Sequence, residues 1–514
     1  MSMEKNDALF LLVKSLSKSE KRQFKLYAGR LGGNSEKNFM ALFSVLDKME
    51  VFDEQVILKK TNIKKQQISN SKAHLYKQIL VSLRLNPFHQ NTKTQIREQL
   101  DFATILYNKG LHKQSLKILD KAKSIAMNHE ENTLAYEIVE LEKIIESQYI
   151  TRSMITRADD LILLSKELSS RNTLLSKLSD LSLQLYSLLL KKGYVRSNED
   201  YKEIKTFFES NLPSYDYNKL GIKEKLFLYK AYLWYNFIIQ DFVACYKYSQ
   251  KWVDLFYYNP KMKNTNPVFY LKGINYLLES LFLIRHQSKF KSTLNYLETE
   301  IEQHNFLLNE NTESLAFLNL YLNKINLYFL EGDFTKGVDF IPDVLEQLKL
   351  YKHKIDAHHV MVFYYKIASM YFGASNYEKC IFYLEKIIRN KELKMREDLL
   401  CFSRILNLVA HYEAGLDQNL DALIRSTYKF LIKMNELHIV QQKIITFLRS
   451  LSTIYPHDLK NAFMDLHDDL LTYENHPYEK RSFMYLDIIS WLESNIENIS
   501  VESVIKRKSL SNDK

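Results

Sequence analysis

The residues best suited to chemistry are histidines and acids crowded into two short stretches. His353, Asp356, His358 and His359 fall within seven positions, and Asp465, His467, Asp468 and Asp469 within five. Imidazole and carboxylate at this density could hold a metal ion or move a proton. The spacing argues against both uses. His353 and Asp356 could share a helix face, but the set matches no zinc pattern and reads better as a helix start between two hairpins. The second group reads as the solvated face of a helix. Cys245, Cys380 and Cys401 show no CxxC spacing, so neither a zinc site nor a disulfide framework is expected, and a reducing compartment fits. GxxxxGK[ST], GxGxxG, HExxH and GxSxG are all missing from the sequence. No catalytic residue, metal ligand or cofactor is assigned, and the chain is expected not to be an enzyme.

The elements that position these residues are helices. The chain has 514 residues, 46% of them hydrophobic, which is enough for a sizeable core. It has 11 Gly and 7 Pro, against about 36 and 26 at average usage. Turns between strands draw on both residues and long helices avoid both, so the composition predicts an all-α protein. No run of about 18 apolar residues occurs, so no membrane span is expected. The first apolar run, Ala8–Val13, is short, is preceded by Glu4 and Asp7, and ends at Lys14 without a cleavage site. A cytoplasmic location is the expectation.

Charge is uneven. Residues 1–90 hold 16 Lys/Arg against 8 Asp/Glu, a balance of +8, and 506–514 contribute +3. Of the total +10, that leaves −1 for everything between. Within the first ninety residues, Ser17 and Glu20 form a capping-box pattern, Gly32–Gly33 break the helix that follows, and Asp53 is an N-cap for a short helix. Phe39, Leu42, Phe43, Leu46 and Met49 trace one helical stripe, and Ile68, Leu75, Ile79 and Leu83 another. A short helix, a turn and a longer helix suggest a helix-turn-helix unit. Lys59, Lys60, Lys64 and Lys65 could neutralise phosphates, and Gln67, Asn70 and Lys77 could face a groove. The alternative is a bundle that caps the array behind it. Asn86–Pro87 closes this part, with a boundary expected in Phe88–Thr94.

From about Gln95 a hairpin recurs. Its clearest copy is Ile367–Ile387, a helix, a polar turn at Gly373–Asn376 and a second helix. The residues that open second helices are expected at His112, Ile155, Tyr201, Phe242, Phe290, Phe334, Tyr377 and Asp417, about 44 apart on average. Such a period marks stacked units that bury their apolar faces only against neighbours. Tyr364, Ile367, Ala368, Tyr371, Tyr377, Cys380 and Leu384 together resemble the tetratricopeptide repeat. That family has an aromatic and a small residue in the first helix, a Gly/Asn–aromatic turn and a small residue after it. Ile387 departs from the final small position, and the intervals exceed the family's period of about 34.

The resemblance implies a right-handed α/α solenoid of tetratricopeptide-like hairpins with a small helical N-terminal domain. The expected divisions are 1–90, a basic helical domain; 91–435, the array; 436–505, capping helices; and 506–514, a flexible basic tail. Cys245 and Cys380 fall where the second helix packs on the first, and Pro342 should kink or break its helix. In that family the first helices line a concave face that holds partner segments. Carried over, this places Lys230, Trp234, Asn275, Arg285, Asn319, Asn326, Tyr365 and Ser369 on that face. Asn amides can both donate to and accept from a peptide backbone, and Arg or Lys can take a carboxylate. The expectation is a non-enzymatic scaffold or adaptor for a protein or peptide. The alternatives are a regulator that binds nucleic acid through residues 1–90 and senses a peptide, and a tightly wound array with no groove.

Overall fold

The computed structural model describes residues 7–30, 34–86, 91–148, 154–303, 309–351, 354–390, 397–416, 420–433, 438–451, 454–479, 483 and 487–512. Among them there are helices and no strands. The chain divides into two compact units, residues 1–169 and 170–514.

The first unit carries α1 (Ala8–Ser15), α2 (Lys18–Ala28), α3 (Asn34–Lys48), α4 (Glu54–Lys60), α5 (Ile68–Arg84), α6 (Thr92–Asn108), α7 (His112–Asn128) and α8 (Asn132–Gln148). The division falls inside α9 (Met154–Lys192). Local chemistry sets the helix starts. Ser17 Oγ accepts from the Glu20 amide at 3.2 Å, while the Glu20 carboxylate accepts from the Ser17 amide at 2.7 Å. Asp53 accepts from the Gln55 amide at 2.8 Å at the start of α4. Gly32–Gly33 and Pro87 lie outside the described residues. Two separate apolar cores follow. One gathers Phe24, Leu42, Phe43, Leu75 and Ile79 from α2, α3 and α5. The other gathers Leu119, Ala122, Ile138 and Ile145 from α7 and α8. The boundary expected near residue 90 therefore runs between two cores of one unit.

The second unit continues with α10 (Asn198–Asn211), α11 (Ile222–Ile238), α12 (Phe242–Tyr258), α13 (Lys261–Thr265), α14 (Pro267–Leu283), α15 (Gln287–Glu302) and α16 (Glu310–Glu331). After these come α17 (Phe334–Leu350), α18 (Ala357–Gly373), α19 (Tyr377–Ile388), α20 (Glu397–Glu413) and α21 (Leu420–Lys433). The last are α22 (Ile439–Ser450), α23 (Leu459–Glu474), α24 (Ile488–Glu497) and α25 (Val501–Asn512). Most of these helices pack on the next or next-but-one helix in sequence.

One turn geometry makes the pairs. Two positions before α7, α8, α12, α15, α17 and α19 stand Gly110, Glu130, Gln240, Arg285, Gly332 and Ser375, all at positive φ. Gly415 takes the same conformation after α20. In each turn the following amide reaches back five residues, as in Asp241 N to Asn236 O at 2.9 Å, Asp333 N to Tyr328 O at 3.0 Å and Asn376 N to Tyr371 O at 2.8 Å. This is the 6→1 closure that satisfies the last carbonyls of a helix while reversing the chain. Asp241 and Asn376 then cap the next helix through their side chains. The second helices open at His112, Phe242, Phe334 and Tyr377 as expected, whereas α10 opens at Asn198 and α15 at Gln287, each three residues before the expected position. Asp417 lies outside the described residues.

Three further expectations meet different outcomes. Cys245 and Cys380 are fully buried, and burial pushes the Cys380 thiol well above its ordinary pKa, which suits a small packing residue. Pro342 does not end α17, which runs on to Leu350. Pro342 sits on the exposed side, and Phe334, Ile341, Val344 and Leu348 anchor both halves of the helix from the other side. The basic segment expected to be a flexible tail is helical through Asn512, and Lys506 pairs with Asp333 at 2.5 Å. No described helix is long and apolar enough to cross a membrane.

Candidate binding face

The first helices α14, α16 and α18 pack side by side, each followed by its partner after the same turn. Equal turns put equivalent residues in register. Phe282, Phe329 and Phe372 each stand five positions before the second helix of their pair. All three line a cavity of about 420 Å³, together with Phe334, Arg285 and Ser369. Its other wall comes from Phe483, Asp487, Val501, Ile505, Lys508 and Ser509, in the segment that reaches and forms α24 and α25. Arg285, exposed in its turn, lies 3.7 Å from the Asp487 carboxylate.

A second cavity of about 250 Å³ shares Phe242, Phe282 and Leu283 with the first. It adds Asn275, Asn323, Asn326, Tyr365, Lys366 and Glu279. Here the polar groups form a chain. Lys366 Nζ donates to Asn326 Oδ1 at 2.6 Å, and Asn326 donates to Asn323 Oδ1 at 3.1 Å. Asn323 donates to Asn275 Oδ1 at 3.0 Å and to the Asn319 carbonyl at 2.7 Å. Asn319 donates to the Leu271 carbonyl at 2.9 Å. The Asn326 and Asn323 amides each accept from one side and donate to the other, so the Lys366 charge polarises them in turn. The ammonium also sits 5.6 Å from the centres of both the Phe282 and the Phe329 rings. Burial pulls the Lys366 pKa down to about 8, with Glu279 acting in the opposite direction.

The expected face residues thus separate. Asn275, Asn326 and Tyr365 line the smaller cavity, and Arg285 and Ser369 the larger. Asn319 is buried and spends its amide between helices. Ser369 donates to the Tyr365 carbonyl at 3.0 Å. Lys230 and Trp234 line neither cavity. Trp234 is buried against Tyr186 and Tyr276, and Lys230 lies over the Phe227 ring with its pKa lowered by burial. Sequence reasoning missed Lys366 and Asn323. Lys366 had a signal, being the one charged residue in the run Met361–Ala368.

The clustered histidines have local roles. Asp356 caps α18 by accepting from the His359 amide at 3.0 Å and also meets His359 Nδ1 at 2.7 Å, while His353 lies outside the described residues. His467 contacts Asp468 at 3.0 Å and Glu493 at 3.6 Å. In the first unit, Lys59, Lys60, Lys64, Lys65, Gln67, Asn70 and Lys77 are all exposed along α4, the following turn and α5.

Fold and cavities together define an all-α protein built from sequentially packed helix–turn–helix pairs, with a mixed polar and aromatic face on its first helices. Compared with known proteins, the chain matches no family model, no curated protein and no solved structure.

Proposed function

We propose that the chain is a protein- or peptide-binding scaffold of the tetratricopeptide-like solenoid type, working through the first-helix face of α14, α16 and α18. The observation that carries this reading is the Lys366–Asn326–Asn323 chain set in a cavity that joins the phenyl-lined one. Such a face offers amides and a cation to a backbone or carboxylate, and aromatic walls to apolar side chains. Selecting a displayed peptide library on the immobilised full chain tests it. Enriched peptides should lose at least tenfold in affinity against Tyr365→Ala/Lys366→Met, provided that variant melts cooperatively. Peptides that bind both chains equally would overturn the reading.

A second reading rests on the first unit. Lys59, Lys60, Lys64 and Lys65 cluster, exposed, where α4 gives way to α5. A nucleic-acid backbone would meet this cluster at the positive end of α5. The full chain would then bind duplex DNA or RNA with an affinity falling steeply in salt, and Lys→Glu at these four positions would abolish it. Absence of binding to both at low salt excludes it.

A further inference from the structure

Three helices of the second unit present equivalent positions to the two joined cavities. Glu279, Asn326 and Ser369 each stand three residues before Phe282, Phe329 and Phe372, on α14, α16 and α18 in turn. Tyr276, Asn323 and Lys366 stand six before them. The register therefore brings an acid, Glu279, and a base, Lys366, to the smaller cavity from the two helices that flank α16, with the α16 amides between them. Among the described residues these two are its only charged lining groups. The Glu279 carboxylate is near enough to act on the Lys366 charge.

Lys366 has hydrogen-bonding capacity to spare. An ammonium carries three N–H donors, and among the described residues one of them is spent, on Asn326 Oδ1 at 2.6 Å. The amides beyond it are occupied with one another, Asn326 donating to Asn323 and Asn323 to Asn275. The other two donors belong to a charge enclosed between the rings of Phe282 and Phe329. Unmade hydrogen bonds on an enclosed charge are costly. A carboxylate, which only accepts, is the group that best fills them. A carboxylate alone would also meet Glu279, a like charge. A positive group on the adjoining carbon removes that conflict by pairing with Glu279.

Volume sets the rest of the ligand. The smaller cavity, about 250 Å³, falls below the range of about 300–1,000 Å³ usual for a whole ligand, so it suits a head group. Phe242, Phe282 and Leu283 are shared with the 420 Å³ cavity, where Phe329, Phe334 and Phe372 offer walls for an apolar side chain. We propose that the joined cavities bind a free α-amino acid with an apolar side chain, its carboxylate on Lys366, its ammonium on Glu279 and its side chain among Phe282, Phe329 and Phe372. This site goes beyond the peptide reading and does not rest on it. In a peptide the first residue lacks the carboxylate and the last lacks the ammonium, so only the free amino acid meets both groups.

Calorimetric titration of the full chain with L-leucine, L-phenylalanine and L-tryptophan tests the proposal. At least one should bind. The N-acetyl and amide derivatives of the best binder each lack one charge and should bind about tenfold or more weakly. Lys366→Met and Glu279→Gln should each weaken the amino acid by a similar factor, in chains that still melt cooperatively. The comparison of derivatives uses the unaltered chain and so holds even if a variant fails to fold. Absence of binding by all three amino acids at millimolar concentration overturns the proposal. An N-acetyl derivative that binds as tightly as its parent also overturns it, and gives Lys366 to the C-terminal carboxylate of a peptide, leaving the peptide reading in place.

Discussion

The Phe334 ring presses so closely on Gly373 that a Cβ there would stand 2.1 Å from the ring. Phe334 opens one second helix and Gly373 ends the first helix of the next pair, so this contact fixes the spacing between successive units. Gly373→Ala must push this buried ring aside, against the cavity it lines. It should cost about 1–3 kcal/mol in denaturant unfolding, the usual range for overpacking. An unchanged midpoint would mean that the ring has room to move.

Ser375 holds the left-handed position of its turn at φ 59° and is exposed. A side chain in that region is strained, whereas glycine adopts it freely. Ser375→Gly should therefore stabilise the chain by about 0.5–1 kcal/mol. Gly110, at φ 75°, has nothing within 4 Å of a would-be Cβ. Gly110→Ala thus isolates the conformational term and should cost about 1 kcal/mol. Thermal melts of the two variants should move in opposite directions.

Lys366 sets a pH dependence. Its pKa falls from an ordinary 10.5 to about 8 on folding, chiefly through burial. Between those values the unfolded chain keeps a proton that the folded chain has lost, so stability rises with pH across this window. Below it both states are protonated and the penalty is constant. Lys366→Met removes the penalty and its pH dependence. Relative to the original chain, the variant should lose about 1–3 kcal/mol of its advantage between pH 7 and pH 10.5. A flat difference in urea midpoints across that range would contradict the assignment.

Buried and exposed ion pairs should behave differently. Lys263 Nζ lies 2.5 Å from the Glu300 carboxylate, which also accepts from Tyr270 Oη at 2.9 Å, and both charged side chains are largely enclosed. Glu300→Ala leaves the ammonium without its partner and should cost about 3 kcal/mol. Arg84 and Asp101 are 2.8 Å apart but mostly exposed, so Asp101→Ala should cost less than about 1 kcal/mol. Equal losses in chemical denaturation would show that exposure does not govern these pairs.

Much of the architecture was legible because it depends on local rules. The Ser17–Glu20 box, the Asp53 cap, the buried stripes through Leu42 and Leu75, and the openings at Phe242, Phe334 and Tyr377 all follow from neighbours within a turn or two. α10 and α15 begin one turn ahead of Tyr201 and Phe290, which pack against the core from inside their helices.

The sequence alone determined that the chain is helical, where most helices turn and which residues recur in register, since propensity, capping and periodicity act over a few residues. Only the tertiary structure decided what those residues do. Asn319 and Asn326 are alike in sequence, yet one is spent bridging helices while the other lines a cavity beside Lys366. Trp234 was expected on an open face and is buried among rings. Lys506 was expected in a loose tail and is bound to Asp333, 173 positions away. Such outcomes depend on which distant surface a side chain meets, and no local pattern encodes that meeting.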